Sequence, residues 1–345
     1  MKAVTSRRRT ILALVAAGAL AAGPVLSASA VASAPASGLR VGGVERWDGA
    51  DRYEASAAIS ARSYPVGVAV AFIASGLIYT DALSGAPVAS KLGGPMLLVK
   101  PDAIPTAIDS ELRRLAPKRI VLLGGPASVS AGIESALAAY TSGEVERWMG
   151  RDRFEASAQI SQSSFSPGVG TAYVSSGRVF ADALSGAPVA GRAPGPMLLV
   201  DTASIPMSIK EELDRLEPKR IIVLGGSRSV EDHVLTELTD YASTWVERWA
   251  GADRYAASAA ISAESFDPRV PVAFVAFGEV FSDALSGAPV AGKLGGPLLL
   301  VRGTSIPPEI ATELQRLKPK RIVVLGGPAS VSTSVETELG DFVVP

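Results

Sequence analysis

Short runs in which every residue is apolar alternate with longer stretches that are apolar on one side only. In the first third of the chain the fully apolar runs are 68–74, 94–99 and Ile120–Leu123, rich in β-branched residues, and they read as buried strands. A fourth, short strand is predicted at Val44–Trp47. Helices are predicted between them. One follows Asp51, a good N-cap with Glu54 three residues on, and runs to about residue 62. One starts near Asp81. One spans 104–115 with Asp109, Glu111, Arg113 and Arg114 on its polar side, and one spans 130–137. Strands apolar on both faces, separated by helices, predict a parallel sheet covered on both sides, a doubly wound α/β module with right-handed crossovers.

The same pattern comes three times. The nonapeptide Asp-Ala-Leu-Ser-Gly-Ala-Pro-Val-Ala starts at Asp81, Asp182 and Asp283, with a period of 101 residues. At that length each copy is a small domain and not a solenoid unit. The expected organisation is a signal over 1–30, a flexible leader over 31–40, and repeats over 41–141, 142–242 and 243–345. Within the nonapeptide, Ala82, Gly85 and Ala86 form a bare helical stripe, repeated as Ala183, Gly186, Ala187 and Ala284, Gly287, Ala288. The stripe serves either packing of the helix on its own sheet or meeting of the three copies about a pseudo-threefold axis. The nonapeptide prolines, Pro87, Pro188 and Pro289, are expected in a first helical turn or at a kink.

The chain begins with Lys2 and Arg7-Arg8-Arg9, a short apolar run, and Ala28-Ser29-Ala30 as a cleavage pattern, which reads as a Sec or twin-arginine export signal. Its removal lowers the basic residues from 33 to 29 against 34 acidic ones, which argues against nucleic acid as a partner. There are no cysteines, hence no disulfides and no lipid attachment through cysteine. No membrane anchor is expected after cleavage, and no second domain beyond the three repeats.

Charged residues that recur in all three copies are the candidates for chemistry. Arg46, Arg147 and Arg248, together with Arg52, Arg153 and Arg254, either pair with a carboxylate at the next module's edge or offer guanidinium groups to phosphate or carboxylate. Strand ends are the usual ligand position in such sheets, and they carry Ser75, Ser176, Gly124-Gly125, Gly225-Gly226 and Gly326-Gly327. Backbone N–H groups there favour an anion. Phe277 replaces the serine in the third copy, and Ser227-Arg228 departs in the second, so three equivalent sites are not expected. Asp81, Asp182 and Asp283 are read as N-caps, the alternative being a carboxylate cluster on the axis.

Enzymatic motifs are missing from the sequence. His233 is the sole histidine, and there is no zinc pattern, nucleophile elbow, P-loop or dinucleotide fingerprint, so no catalysis, cofactor or metal is expected. The repeat resembles the cell wall-binding repeat 2 family of Gram-positive bacteria, through Arg46-Trp47-Asp48-Gly49-Ala50-Asp51-Arg52-Tyr53, Ala74-Ser75-Gly76, the nonapeptide, Pro95-Met96-Leu97-Leu98, Leu123-Gly124-Gly125 and Ser128-Val129-Ser130. The resemblance implies Rossmann-like modules packed as a pseudo-trimer within one monomeric chain. It also implies a protein secreted to the cell surface that attaches non-covalently to an anionic wall polymer or to peptidoglycan. Two other functions fit the residues: a self-assembling surface protein, and a nucleotide- or sugar-binding enzyme using the strand-end glycines.

Overall fold

The computed structural model describes residues 43–344 of the chain; the export signal and leader expected over 1–40 lie outside them. The first repeat contributes β1 (Val44–Trp47), α1 (Arg52–Ser63), β2 (Ala71–Ser75), α2 (Thr80–Leu92), β3 (Met96–Val99), α3 (Thr106–Leu115), β4 (Ile120–Leu123) and α4 (Ala131–Leu137). The second contributes β5 (Val145–Trp148), α5 (Arg153–Gln162), β6 (Thr171–Ser176), α6 (Ala181–Arg192), β7 (Met197–Val200), α7 (Met207–Leu216), β8 (Arg220–Leu224) and α8 (Asp232–Glu237). The third contributes β9 (Trp245–Trp249), α9 (Arg254–Ser265), β10 (Ala273–Phe277), α10 (Ser282–Leu294), β11 (Leu298–Val301), α11 (Pro308–Leu317), β12 (Ile322–Leu325) and α12 (Thr333–Leu339).

These strands build three four-stranded parallel sheets, ordered β3-β2-β4-β5, β7-β6-β8-β9 and β11-β10-β12-β1. The apolar runs explain the burial: every residue of β3, β4, β7, β11 and β12 is inaccessible, as helices cover both faces. In each sheet the strand order reverses between β2 and β4, β6 and β8, or β10 and β12, which makes the gap beyond their carboxyl ends the crevice of a doubly wound fold.

The fourth strand of each sheet comes from the following repeat. β5 pairs with β4 from Ile120↔Val145 to Leu123↔Trp148, and β9 pairs with β8. The first repeat's own opening strand pairs with the last module, from Val44↔Ile322 to Trp47↔Leu325. Folding units and sequence repeats are thus offset by one strand, and β1 closes the three modules on one another without a covalent link.

The second fastening lies about the centre, where α2, α6 and α10 pack against one another. The rings of Tyr79, Phe180 and Phe281 meet there pairwise, with centroids 5.3–5.9 Å apart. Further along the helices, a Cβ added to Gly191 would lie 2.4 Å from the Cβ and Oγ of Ser90, and one added to Gly292 2.4 Å from the same Oγ. One serine and two glycines fill this level of a pseudo-threefold axis. The glycines of the nonapeptide stripe point elsewhere. A Cβ on Gly85, Gly186 or Gly287 would sit 2.2–2.3 Å from Leu123, Leu224 or Leu325 of the same module, so they serve close approach of the helix to its own sheet. Ala82 and Ala86, with their counterparts Ala183, Ala187, Ala284 and Ala288, are inaccessible. Pro87, Pro188 and Pro289 lie inside the helices, which excludes the first turn of the two placements expected for them.

Each of these central helices ends in a cation that fastens the next module. Lys91 Nζ donates to the Ser164 carbonyl at 2.6 Å and lies 4.0 Å from the centre of the Phe165 ring. Arg192 treats Ser265 and Phe266 likewise, and Lys293 returns to Ser63 and Tyr64, completing the circuit. Each cation faces the C-terminal end of α5, α9 or α1, where the helix dipole is negative. Burial lowers the pKa of both lysines.

Candidate functional site

The recurrent charged residues sort into two groups at the seams. Arg46, Arg147 and Arg248 form the first. Arg46 gives two bonds to Glu336 Oε2, at 3.0 and 2.8 Å, and one each to the carbonyls of Gly326 (2.6 Å) and Val331 (2.9 Å). Arg147 binds Glu134 and the carbonyls of Gly124, Val129 and Ser130, and Arg248 binds the Gly225 carbonyl and Asp232. Their side chains are only 9%, 7% and 16% exposed. These guanidiniums latch the fourth strand to the sheet it joins. Of the two roles open to them in the sequence, the structure shows the pairing with carboxylates and carbonyls across the seam, which occupies these guanidiniums.

Arg52, Arg153 and Arg254 form the second group, just after the helix N-caps Asp51, Asp152 and Asp253. Each cap carboxylate already accepts the N–H groups of the second and third residues of its helix, for example those of Tyr53 and Glu54. Each arginine uses one nitrogen to hold a carbonyl of the loop after β2, β6 or β10: Gly76 (2.5 Å), Gly177 (2.6 Å) or Gly278 (2.7 Å). Arg254 also meets exposed Glu279 at 3.1 Å. Arg52 lies over Phe281 and Arg254 over Phe180, both at 5.9 Å from the ring centre. Each arginine thus reaches the crevice of the preceding module.

The nonapeptide aspartates stand in that crevice. They are not N-caps: α2, α6 and α10 begin one residue earlier, with no side-chain capping bond, and the three carboxylates form no shared metal cluster among the described residues. Asp81 and Asp182 are 8% and 7% exposed. Burial pushes their carboxyls above the ordinary range, against the lowering effects of the Ser128 and Ser229 hydroxyls and of the Arg153 and Arg254 charges. Asp283 is raised by burial in the same way, opposed by Arg52.

The strand-end glycines divide in the same spirit. Gly124, Gly225 and Gly326 have φ of +95° to +101°, donate to the carbonyls of Trp148, Trp249 and Trp47, and would drive a Cβ within 2.3–2.4 Å of the aspartate Oδ2. They shape the crevice. Gly125, Gly226 and Gly327 have nothing closer than 3.8 Å to an added Cβ and stay open to it. Ser75 and Ser176, both buried, close their own turns by accepting from the N–H of Leu77 and Arg178.

At the seam of the second and third modules these parts enclose a cleft of about 520 Å³, lined by Asp182, Gly226, Arg228, Ser229, Asp253 and Arg254 among others. At the seam of the first and second, a cleft of about 410 Å³ lies between Gly125-Pro126-Ala127 and Met149-Gly150-Arg151. The sequence reading missed Asp81, Asp182 and Asp283 as crevice groups, although their identity in all three copies was visible. It also missed the cations at 91, 192 and 293, whose signal was a constant charge matched by a constant aromatic at 64, 165 and 266.

Comparison with known proteins follows the same threefold pattern. The family model for cell wall binding domain 2 (CWB2) matches residues 46–134, 147–235 and 248–336. Each match opens on a latch arginine, and the last ends on Glu336, the partner of Arg46. The amidase enhancer of Bacillus subtilis (strain 168) is 30% identical over 305 residues, covering 88% of this chain and 41% of the relative. The N-acetylmuramoyl-L-alanine amidase LytC of the same organism is 24% identical, covering 87% and 59%. Among solved structures, Cwp6 from Clostridium difficile superposes with a TM-score of 0.83 at 25% identity, covering 88% of this chain and 48% of that one. Cwp8 from the same organism gives 0.78 at 26%, covering 88% and 52%. The chain thus spans about half the length of these relatives. With three matches in tandem, each built around the same latch and crevice, the chain belongs to the cell wall binding domain 2 family.

Proposed function

We propose that this protein is exported and attaches non-covalently to the bacterial cell wall by holding anionic wall polymer in its seam clefts, without turnover. The observation that carries this reading is the placement, at each seam, of an arginine from one module near a largely buried aspartate in the crevice of the preceding one. The arginine presents nitrogens free for a phosphate or carboxylate oxygen. The aspartate and its neighbouring serine suit a sugar hydroxyl. Together they match a polymer in which charged groups alternate with sugars. The second seam is the strongest of the three, because Arg228 adds a guanidinium where the other copies have Ala127 and Ala329. An overall excess of acidic residues leaves local cations to do the binding, so attachment weakens as salt rises.

The test is co-sedimentation of the mature chain with purified Gram-positive walls, comparing wild type with the triple variant Arg52→Gln, Arg153→Gln, Arg254→Gln. The variant is expected to lose wall binding at least tenfold while still folding and melting in a cooperative transition, lowered by the loss of the three loop bonds. Full binding by the folded triple variant would overturn the assignment of these arginines.

A further inference from the structure

The glutamate that follows each N-cap by three residues is present in two repeats and missing from the third. Glu54 Oε2 accepts from the Ala50 N–H at 2.9 Å. Glu155 Oε2 accepts from the Arg151 N–H at 3.0 Å and from Arg151 Nε at 2.6 Å. These bonds from Arg151 hold the Glu155 carboxyl below its ordinary range, so the position favours a negative charge. In the third repeat Ala256 replaces the glutamate. The equivalent N–H, that of Ala252, finds no acceptor among the described residues, and Ala252 lies on the wall of the cleft at the second seam. The donor lies outside the helix: Asp253 already takes the N–H groups of Tyr255 and Ala256 at the start of α9.

A guanidinium stands at the same place. Arg228 gives Nη2 to the carbonyl of Ala252 at 2.9 Å. Its side chain is exposed, makes no ion pair among the described residues, and lines the cleft together with Arg254. The sister residues at its position are Ala127 and Ala329. The acids of this cleft are engaged elsewhere. Asp253 caps α9, Asp182 is buried against the Ser229 hydroxyl, and nearby Glu279 is shared by Arg254 and the Tyr255 hydroxyl. The cleft volume of about 520 Å³ lies within the ~300–1,000 Å³ of small-molecule sites. At the first seam, by contrast, Glu155 itself lines the cleft beside Arg151. The second seam therefore joins an uncapped N–H, an unpaired guanidinium and an open volume where its sisters carry a carboxylate of their own.

We propose that the second seam alone seats a phosphate group of the wall polymer, in the position that Glu54 and Glu155 fill at the other two seams. A phosphate oxygen there accepts from the Ala252 N–H and from the free nitrogens of Arg228, as Glu155 Oε2 accepts from Arg151. The two glutamates keep the other seams closed to anions. This inference rests on the reading of the seams as polymer sites and narrows it to one seated charge per chain.

The experiment adds glycerol 3-phosphate to the full mature chain, labelled with nitrogen-15, and follows the amide resonances of Ala50, Arg151 and Ala252, with glycerol as the uncharged control. In wild type Ala252 is expected to shift saturably with glycerol 3-phosphate and the other two amides to stay in place. Ala256→Glu restores the residue that both sister repeats carry, so the fold is retained, and it should weaken binding at least tenfold. Arg228→Ala should weaken it severalfold. Glu155→Ala frees Arg151 and should add a saturable shift at that amide. No saturable shift at Ala252, equal shifts at the three amides, or a titration that Ala256→Glu leaves untouched would overturn the seat. No added shift in Glu155→Ala would overturn the closing role of the glutamates. Co-sedimentation with walls separates this inference from the reading beneath it. Wild type that fails to sediment contradicts wall attachment, whereas equal sedimentation of wild type and Ala256→Glu contradicts only the seat as the polymer's contact.

Discussion

Replacing Arg46 by alanine should open the ring at the only seam that no peptide bond crosses. Arg46 and Glu336 are 290 residues apart, 2.8 Å from nitrogen to oxygen, and 9% and 13% exposed. Removing one partner of a buried ion pair typically destabilises by ~3–5 kcal/mol, because the other charge is left without compensation. The carbonyls of Gly326 and Val331 lose their donors as well. Arg248 is the internal control. Its acidic partner Asp232 is 81% exposed, which makes that pair worth roughly 0–1 kcal/mol. Its bond to the Gly225 carbonyl adds about 1.5–3 kcal/mol, the range for a charged donor. Arg46→Ala should therefore lower stability by about 4 kcal/mol and Arg248→Ala by about 3 kcal/mol. The location of the loss should differ too. β1 is held to β12 by pairing alone, so Arg46→Ala should speed amide exchange in β1 and β12 before any global transition, while β9 keeps its protection in Arg248→Ala. Denaturant titration and hydrogen exchange of the two variants check this. Equal losses, or unchanged exchange in β1, would refute the reasoning that non-covalent closure rests on the buried latch.

Further outcomes follow from the crevice and the axis. Burial raises the pKa of Asp182 above its ordinary 3.8, so the fold disfavours its charged form. That group's contribution to stability is full below about pH 3.8 and lost as pH rises through the folded value. Asp182→Asn should therefore melt higher than wild type at pH 7, with the advantage vanishing as pH falls toward 3.8; a lower melting temperature at pH 7 contradicts the burial argument. Gly191→Ser should destabilise by roughly 1–3 kcal/mol, the usual range for overpacking, since its Cβ would lie 2.4 Å from Ser90, and adding Ser90→Gly should restore most of the loss in denaturant titration.

Much of the architecture was legible in the sequence, and for a physical reason. Fully apolar runs such as Ile120–Leu123 can be satisfied only between two helical layers, and the 101-residue period repeats that instruction three times. The offset of sheets and repeats was not legible. Val44–Trp47 and Val145–Trp148 share the sequence VERW, so their pattern cannot say that one joins the sheet before it and the other the sheet at the far end of the chain. Recurrence of Arg46 and Arg52 across copies marked both as constrained, but only geometry separates a buried latch from a cleft-facing cation. The aspartates were misread because an acidic residue at a helix start suits a cap, whereas Asp81 lies one residue inside the helix and against Gly124.

The central claim, attachment through anionic wall polymer, is tested most directly by co-sedimenting the wild-type chain with walls of its own organism before and after acid removal of phosphodiester-linked polymers. Binding to native walls that is lost on stripping is the predicted result. Equal binding to stripped walls would contradict it and point to peptidoglycan as the partner.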